Sequence, residues 1–413
     1  MNTFTTLFLA ALAVSSGIEY WLARRQASHV RLHRDRVPEA FRDSVSLEDH
    51  RKAADYTLAK GSLGDVGRIV GIVILLGFTL GGGIDAIAQL WSGFELSPIA
   101  TGVGVVLTTL LVSQFLELPL SLYQTFRVEE RFGFNRTTPR QFAIDLGLQT
   151  ALSVVIGGPL LALILWVMDS SGAQWWILAW AILMAFSILM SWAFPTFIAP
   201  LFNKFTPLAD TTLKARIEAL LERCGFHAQG IFVMDGSKRS GHGNAYFTGI
   251  GNNKRIVFFD TLVDSLNHDE IEAVLAHELG HFKRRHVLKM LAGTSLVTLA
   301  GFGLLGWLSG EGWFYQGLGV SEQSNAIALL LFMLVSPVFS VFLQPIMAYV
   351  QRRYEFEADD FAAGHTRARY LVNALVKLYR ENASTLTPDP LYAAFHYSHP
   401  PAAIRIDHLA AKI

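Results

Sequence analysis

Long apolar stretches alternate with charged ones along the whole chain. Seven of them, roughly residues 3–23, 69–92, 100–123, 146–168, 175–198, 288–309 and 324–349, reach the ~20 residues that an α-helix needs to cross ~30 Å of hydrocarbon. Lys and Arg fall in the connections after the first, third and fifth stretches and in the C-terminal tail. The connections after the second, fourth and sixth hold none. Under the positive-inside tendency this sets the N-terminus outside and the C-terminus in the cytoplasm, which an odd number of crossings satisfies. Residues 3–23 have small residues near Ala13 and Ser16, as a cleaved signal peptide would. No basic segment precedes them and Arg24-Arg25 follow, so they read as a retained helix.

Between the spans the pattern changes. Residues 24–68 read as a helical, surface-lying polar segment, and Pro139 opens the fourth span's helix. The largest polar block, 199–287, begins with helical spacing from Leu213 to Cys224, closed by Gly225. Residues 230–235, 245–249 and 255–260 are then short β-branched and aromatic runs, which predict a three-stranded meander. A further helix begins at His268-Asp-Glu-Ile271. The expected organisation is a first transmembrane helix with its polar segment (1–68), spans two to five (69–198), a first polar domain piece (199–287), spans six and seven (288–349) and a second piece of the same domain (350–413).

Composition agrees with a membrane protein: 52% of residues are hydrophobic and 16% charged. The single Cys224 excludes an intramolecular disulfide and fits a reduced compartment. Zero net charge and the lack of a basic patch interleaved with aromatics argue against nucleic acid as a partner.

The chemistry is concentrated in His277-Glu-Leu-Gly-His281. On a helix, His277 and His281 share a face and can aim two nitrogens at one zinc ion, with Glu278 beside them as a base. A catalytic zinc uses three protein ligands plus water, so one is missing. Glu355 re-enters the same side of the membrane after the seventh span, and Asp359 lies one turn further, where it would orient a histidine or handle a proton. The plainer alternative is that these acids neutralise Arg352 and Arg353; Glu357, on another face, suits that task better. The charges around His277 (Asp269, Glu270, Glu272, Lys283, Arg284, Arg285) place the site at the membrane boundary. Polar residues in or beside the spans (Glu19, Asp85, Gln114, Glu117, Asp145, Gln344) keep open a transporter or channel with a structural zinc. A structural site takes four protein ligands, and three are apparent.

Several motifs together resemble the type I CAAX prenyl endopeptidases, integral-membrane zinc metalloproteases. They are the His277–His281 motif, Glu355-Phe-Glu-Ala-Asp359, Ser240-Gly-His-Gly-Asn244-Ala-Tyr-Phe, His396-Tyr-Ser-His399-Pro-Pro, Glu130-Arg-Phe-Gly-Phe-Asn135 and Asn203-Lys-Phe-Thr-Pro-Leu208. Phe282 and Gly243 depart from the family pattern, where Trp and Ser are usual. The resemblance implies a mostly α membrane protein, a seven-transmembrane-helix barrel around a large chamber, with a cytoplasmic-side zincin-like catalytic domain containing a small β-sheet. It implies one zinc held by His277, His281 and Glu355, Glu278 as general base, and a proton-handling Asp359. It also implies His399 and Arg405 near the scissile carbonyl and Asn244, Ala245 and Tyr246 as the edge that pairs with substrate. By itself, His399 reads equally well as a capping or core histidine. The expected partners are the lipid bilayer and a peptide or protein substrate, prenylated or not; a membrane-protein quality-control protease is the neighbouring reading. Oligomeric state is not legible, and the compact loops tilt towards a bacterial inner membrane.

The one-sided distribution of Lys and Arg generates a topology test. Cysteines introduced beside Lys60, Arg136 and Lys254 should react with impermeant thiol reagents from the cytoplasmic side, and one beside Gly310 from the opposite side. Labelling of all four from one side would overturn the seven-crossing topology.

Overall fold

The computed structural model describes residues 2–226, 228–248 and 255–413; Gly249 and Lys254 lie outside them. Its membrane half is built from α1 (Thr3–His33), α2 (Leu47–Phe78), the short α3 (Gly83–Ser92), α4 (Pro98–Tyr123), α5 (Pro139–Ser170) and α6 (Trp175–Ala193) with its short continuation α7 (Ala199–Phe202). Then follow α8 (Thr211–Arg223), α9 (Asp260–Ser265), α10 (His268–Lys283), α11 (His286–Leu308), α12 (Gly312–Gly317) and α13 (Asn325–Ser340). The C-terminal helices are α14 (Gln344–His365), α15 (Ala368–Glu381), α16 (Pro390–His396) and α17 (Ala402–Ala410). Side chains just before the helices explain several starts. Asn2, Ser46, Ser97, Thr138 and Ser324 each accept a first-turn N–H, and Pro98 and Pro139 occupy first-turn positions where no N–H is needed.

Among the described residues, seven helical segments are long and apolar enough to cross a membrane, as in a multi-pass membrane protein. Each of α1, α2, α4, α5, α6, α11 and α13 packs on the next, and α13 returns to α1, closing a barrel. Apolar packing concentrates at one end of that barrel. Phe8 and Leu12 of α1, Phe78 of α2, Val105 of α4, Met168 of α5, Trp175 of α6, Leu308 of α11 and Leu330 of α13 share one core there. That core plugs the end remote from the polar blocks.

Three expectations are corrected here. The second span, read as 69–92, ends at Phe78, because the chain turns through Gly82 at φ 78°, a left-handed conformation glycine adopts without strain, into the separate α3. Residues 24–68 are not a surface-lying segment. Residues 24–33 and 47–68 are the polar halves of α1 and α2, joined by the connection 34–46, and they pack against the rest of the chain through the buried Val30, Ala53, Ala54 and Tyr56 while other side chains of the segment are exposed. The sheet is no meander: the four strands β1 (Phe205–Pro207), β2 (Gly230–Met234), β3 (Ala245–Thr248) and β4 (Arg255–Phe259) take the order β1-β2-β4-β3, with β2 and β4 parallel. After β2 the chain passes the middle of the sheet before β3 forms, so β3 pairs antiparallel with β4 and sits at the edge.

The sheet's core also contains α8, α10, α15 and α17, and is filled by Ile217, Leu220, Phe258, Leu275, Leu371 and Leu409. Residues on both sides of the last two spans thus share one apolar interior. The tightest joint in it lies between α10 and α14. A Cβ added to Gly280 would stand 2.9 Å from the Ala358 Cα and 3.1 Å from the Phe361 Cβ, so only glycine permits this approach. Gly280→Val should push the helices apart, lowering stability by about 1–3 kcal/mol through overpacking. Thermal unfolding in detergent reads the loss, and an unchanged midpoint would show that the joint tolerates bulk.

Candidate active site

Helix α10 begins with a reciprocal cap: Asn267 accepts from the Glu270 N–H, and the Glu270 carboxylate accepts from the Asn267 N–H. From that fixed start, the helical period puts His277 and His281 on one face, with Nε2 atoms 3.3 Å apart. The α10–α14 joint brings Glu355 in front of them, 3.5 Å from His277 Nε2 and 3.3 Å from His281 Nε2. One donor atom from each of the three lies within 4.8 Å of the others. Glu355 Oε2 is buried and makes no hydrogen bond among the described residues, an arrangement costly for a carboxylate unless a cation completes it. Two imidazoles and a carboxylate with room left over fit a catalytic metal centre.

Behind His277 the geometry is equally specific. Asp359 Oδ1 lies 2.8 Å from His277 Nδ1, and Arg405 grips the same carboxylate through two bonds of 2.9 and 2.5 Å. Burial disfavours a charged His277, but the neighbouring carboxylates of Asp359 and Glu355 outweigh it and push its pKa up to about 9 in the metal-free site. Metal and proton therefore compete for this ring. Arg405 is itself buried and held by Asp359, with Nη1 at 3.5 Å from Glu355, so it braces the carboxylates. His399 differs: its ring is exposed, Nε2 lies 3.4 Å from Glu355 Oε1, and Ser398 Oγ sits 2.9 Å from Nδ1. Burial of the surrounding pocket pushes its pKa below the ordinary histidine range, which favours a neutral ring.

These groups open onto a chamber of about 1110 Å³ lined by His277, Glu278, His399, Asn244 and Ala245 and by the polar halves of α1 and α2. The expected substrate edge divides. Asn244 C=O accepts from Phe259 N–H at 2.9 Å, so strand alternation turns the Ala245 N–H and C=O outward, away from β4. The Asn244 side chain covers that N–H at 2.8 Å. The Tyr246 side chain leaves the chamber and packs on the other face, against Phe259 and Met234.

Residues outside the expected set hold this edge in place. His242 stacks on Phe134 at 4.2 Å and lies 3.4 Å from the Tyr56 hydroxyl, which bonds Glu129 at 2.8 Å. Asn382 Oδ1 accepts from Gly243 N–H at 3.0 Å. The Glu130–Asn135 motif thereby acquires a structural task, since Gly241 N–H donates to Phe134 C=O and Asn135 bridges to Ser240. Only the presence of both segments among the quoted motifs hinted at this; Tyr56 and Asn382 carried no signal. Glu357, expected to balance Arg352 and Arg353, instead faces His286 and Lys289, while Arg352 bonds the carbonyls of Ala393 and Tyr397.

Known proteins give the same picture. Residues 26–204 match the family described as CAAX prenyl protease N-terminal, five membrane helices, and residues 207–413 match peptidase family M48. The chain is 38% identical to a CAAX prenyl protease 1 homolog of Dictyostelium discoideum, covering 92% of this chain and 90% of that protein. It is 35% identical to CAAX prenyl protease 1 of Saccharomyces cerevisiae, covering 95% and 92%. The crystal structure of S. mikatae Ste24p superposes with a TM-score of 0.89 at 34% identity, covering 99% of both chains. A His-His-Glu triad at the mouth of a seven-helix barrel, together with these matches along its whole length, shows that the chain belongs to the type I CAAX prenyl endopeptidases, membrane metalloendopeptidases of peptidase family M48.

Proposed function

We propose that this protein is a zinc endopeptidase that cuts extended peptides, including prenylated CAAX-type C-termini, at the membrane boundary. The observation that carries this reading is the buried Glu355 carboxylate, whose Oε2 makes no hydrogen bond among the described residues, facing His277 and His281 beside the outward-turned edge of β3. His277, His281 and Glu355 would hold the metal. Zinc, when bound, supplies a Lewis acid for the scissile carbonyl and acidifies the attacking water.

The chain's own residues carry the remaining steps. Glu278 lines the chamber next to the ligands, takes the proton of the attacking water and returns it to the leaving amine. His399, neutral, donates a hydrogen bond from its Nε2 to the oxyanion that develops on the carbonyl. Asp359 accepts from His277 Nδ1–H and keeps the other nitrogen aimed at the metal; fully buried behind that ring, it orients rather than shuttles protons. Arg405 holds Asp359 and supplies the positive charge that permits two carboxylates in one interior. The peptide extends β3, exchanging main-chain hydrogen bonds with Ala245 after displacing the Asn244 side chain. The chamber receives the apolar tail. The relatives named above carry CAAX prenyl protease in their names and are eukaryotic, so they supply the prenylated substrate class and lend nothing to a bacterial inner membrane. The basic connections support a catalytic domain on the cytoplasmic face.

Two predictions separate the roles around the metal. Glu355→Ala should purify without stoichiometric zinc, whereas Glu278→Gln should keep zinc and lose roughly 10²–10⁴-fold in turnover. Metal analysis of both variants beside a peptidase assay reads the difference, and full zinc in Glu355→Ala would require another third ligand.

A third concerns substrate. Ala245→Pro removes the outward N–H, and should retain zinc while cleavage of a farnesylated CAAX peptide falls sharply. Wild-type rates in that variant would exclude strand addition here. Cleavage by the wild-type enzyme of unprenylated membrane peptides alone would establish the quality-control reading instead.

A further inference from the structure

His277 has a carboxylate behind it, and such partners fix the tautomer and aim of metal-binding histidines. The Nδ1 of His281 meets a different partner, His286: the two Nδ1 atoms are 3.0 Å apart. His286 is 1% exposed, lies flat on Tyr354 with ring centroids 4.2 Å apart and planes 11° apart, and points Nε2 at Glu357 Oε2, 3.1 Å away.

We infer that Glu357 and His286 form a relay that positions His281 as a metal ligand, the counterpart of Asp359 behind His277. Only one arrangement of protons satisfies every contact. His281 presents the lone pair of Nε2 to the metal and donates its Nδ1–H to His286. The His286 Nδ1 accepts, and its Nε2–H donates to the Glu357 carboxylate. The opposite tautomer of His286 would set two N–H groups against each other and leave Glu357 facing a lone pair.

The backbone is built around this contact. Helix α10 ends at Lys283, and the chain turns into α11 through Arg285 at φ 57°, a left-handed conformation that costs energy in any residue but glycine. That turn folds His286 back under His281. Tyr354, one residue before Glu355, supplies the flat surface that holds the ring, and Glu357 follows two residues later. A single stretch of α14 therefore supplies a ligand and the outer supports of both histidines.

The inference rests on His277, His281 and Glu355 being the ligands, so its test is arranged to fail separately. Metal-free protein in detergent is titrated with zinc against a competing chelator, and thermal unfolding of the metal-free form is measured alongside. His286→Phe keeps the stacked ring on Tyr354 but loses both hydrogen bonds, and should weaken zinc binding about 10–100-fold. His286→Asn restores an acceptor at the Nδ1 position and should bind zinc within about fivefold of wild type. Glu357→Ala should weaken binding severalfold, and the His286→Phe, Glu357→Ala double variant should be no weaker than His286→Phe alone. Wild-type affinity in His286→Phe, no recovery in His286→Asn, or additive losses in the double variant would each overturn the relay. Should His286→Phe fail to fold, the Asn and Glu357→Ala affinities decide the matter. Zinc retained by Glu355→Ala would instead overturn the ligand assignment.

Discussion

The close approach of α10 to α14 is the constraint on which the site depends. Two histidines on one helix can supply only part of a metal centre, and the carboxylate that could complete it arrives from a helix separated by two membrane crossings. Gly280, between the histidines, lets the α14 backbone come near enough for Glu355 to reach both rings. Ala358, small and buried, occupies the same contact from the other side. A metal centre is sensitive to displacements of a fraction of an ångström, so a backbone-to-backbone joint is a sounder support than a contact between long, flexible side chains.

Around that joint the charges are arranged to be mutually tolerable. Glu355 and Asp359 are both buried, which an apolar interior would not allow on its own. Arg405 faces both, gripping Asp359 through a two-pronged bond and standing 3.5 Å from Glu355, and a divalent cation held by His277, His281 and Glu355 would compensate the remaining charge. The cluster is therefore a single electrostatic unit. Removing a member leaves its neighbours with a buried charge, so losses within it should not add independently.

The barrel shows a comparable division of labour. Apolar side chains fill the end remote from the catalytic domain. At the other end the polar halves of α1 and α2 face the chamber instead of the lipid, and bear the charges that a hydrocarbon environment would exclude.

Periodicity and composition by themselves determined the membrane class, the seven spans, the α10 helix and the pairing of His277 with His281, because each is a local property of the chain. The i, i+4 rule needs no knowledge of the rest of the fold. Two boundaries failed for different reasons: the break after Phe78 is a local glycine turn, while the continuation of α1 and α2 through their charged halves needs the chamber those halves line. The sheet order was illegible because β1 is three residues long and because strand adjacency reflects a route through space, not spacing. Glu355 was legible as a candidate through topology, but its meeting with the histidines and the bracing of His277 by Asp359 and Arg405 were decided by helix packing, and the contact of His281 with His286 by the left-handed turn at Arg285. Such contacts join residues up to 128 positions apart, and no local pattern records a distance that only a folded interior sets.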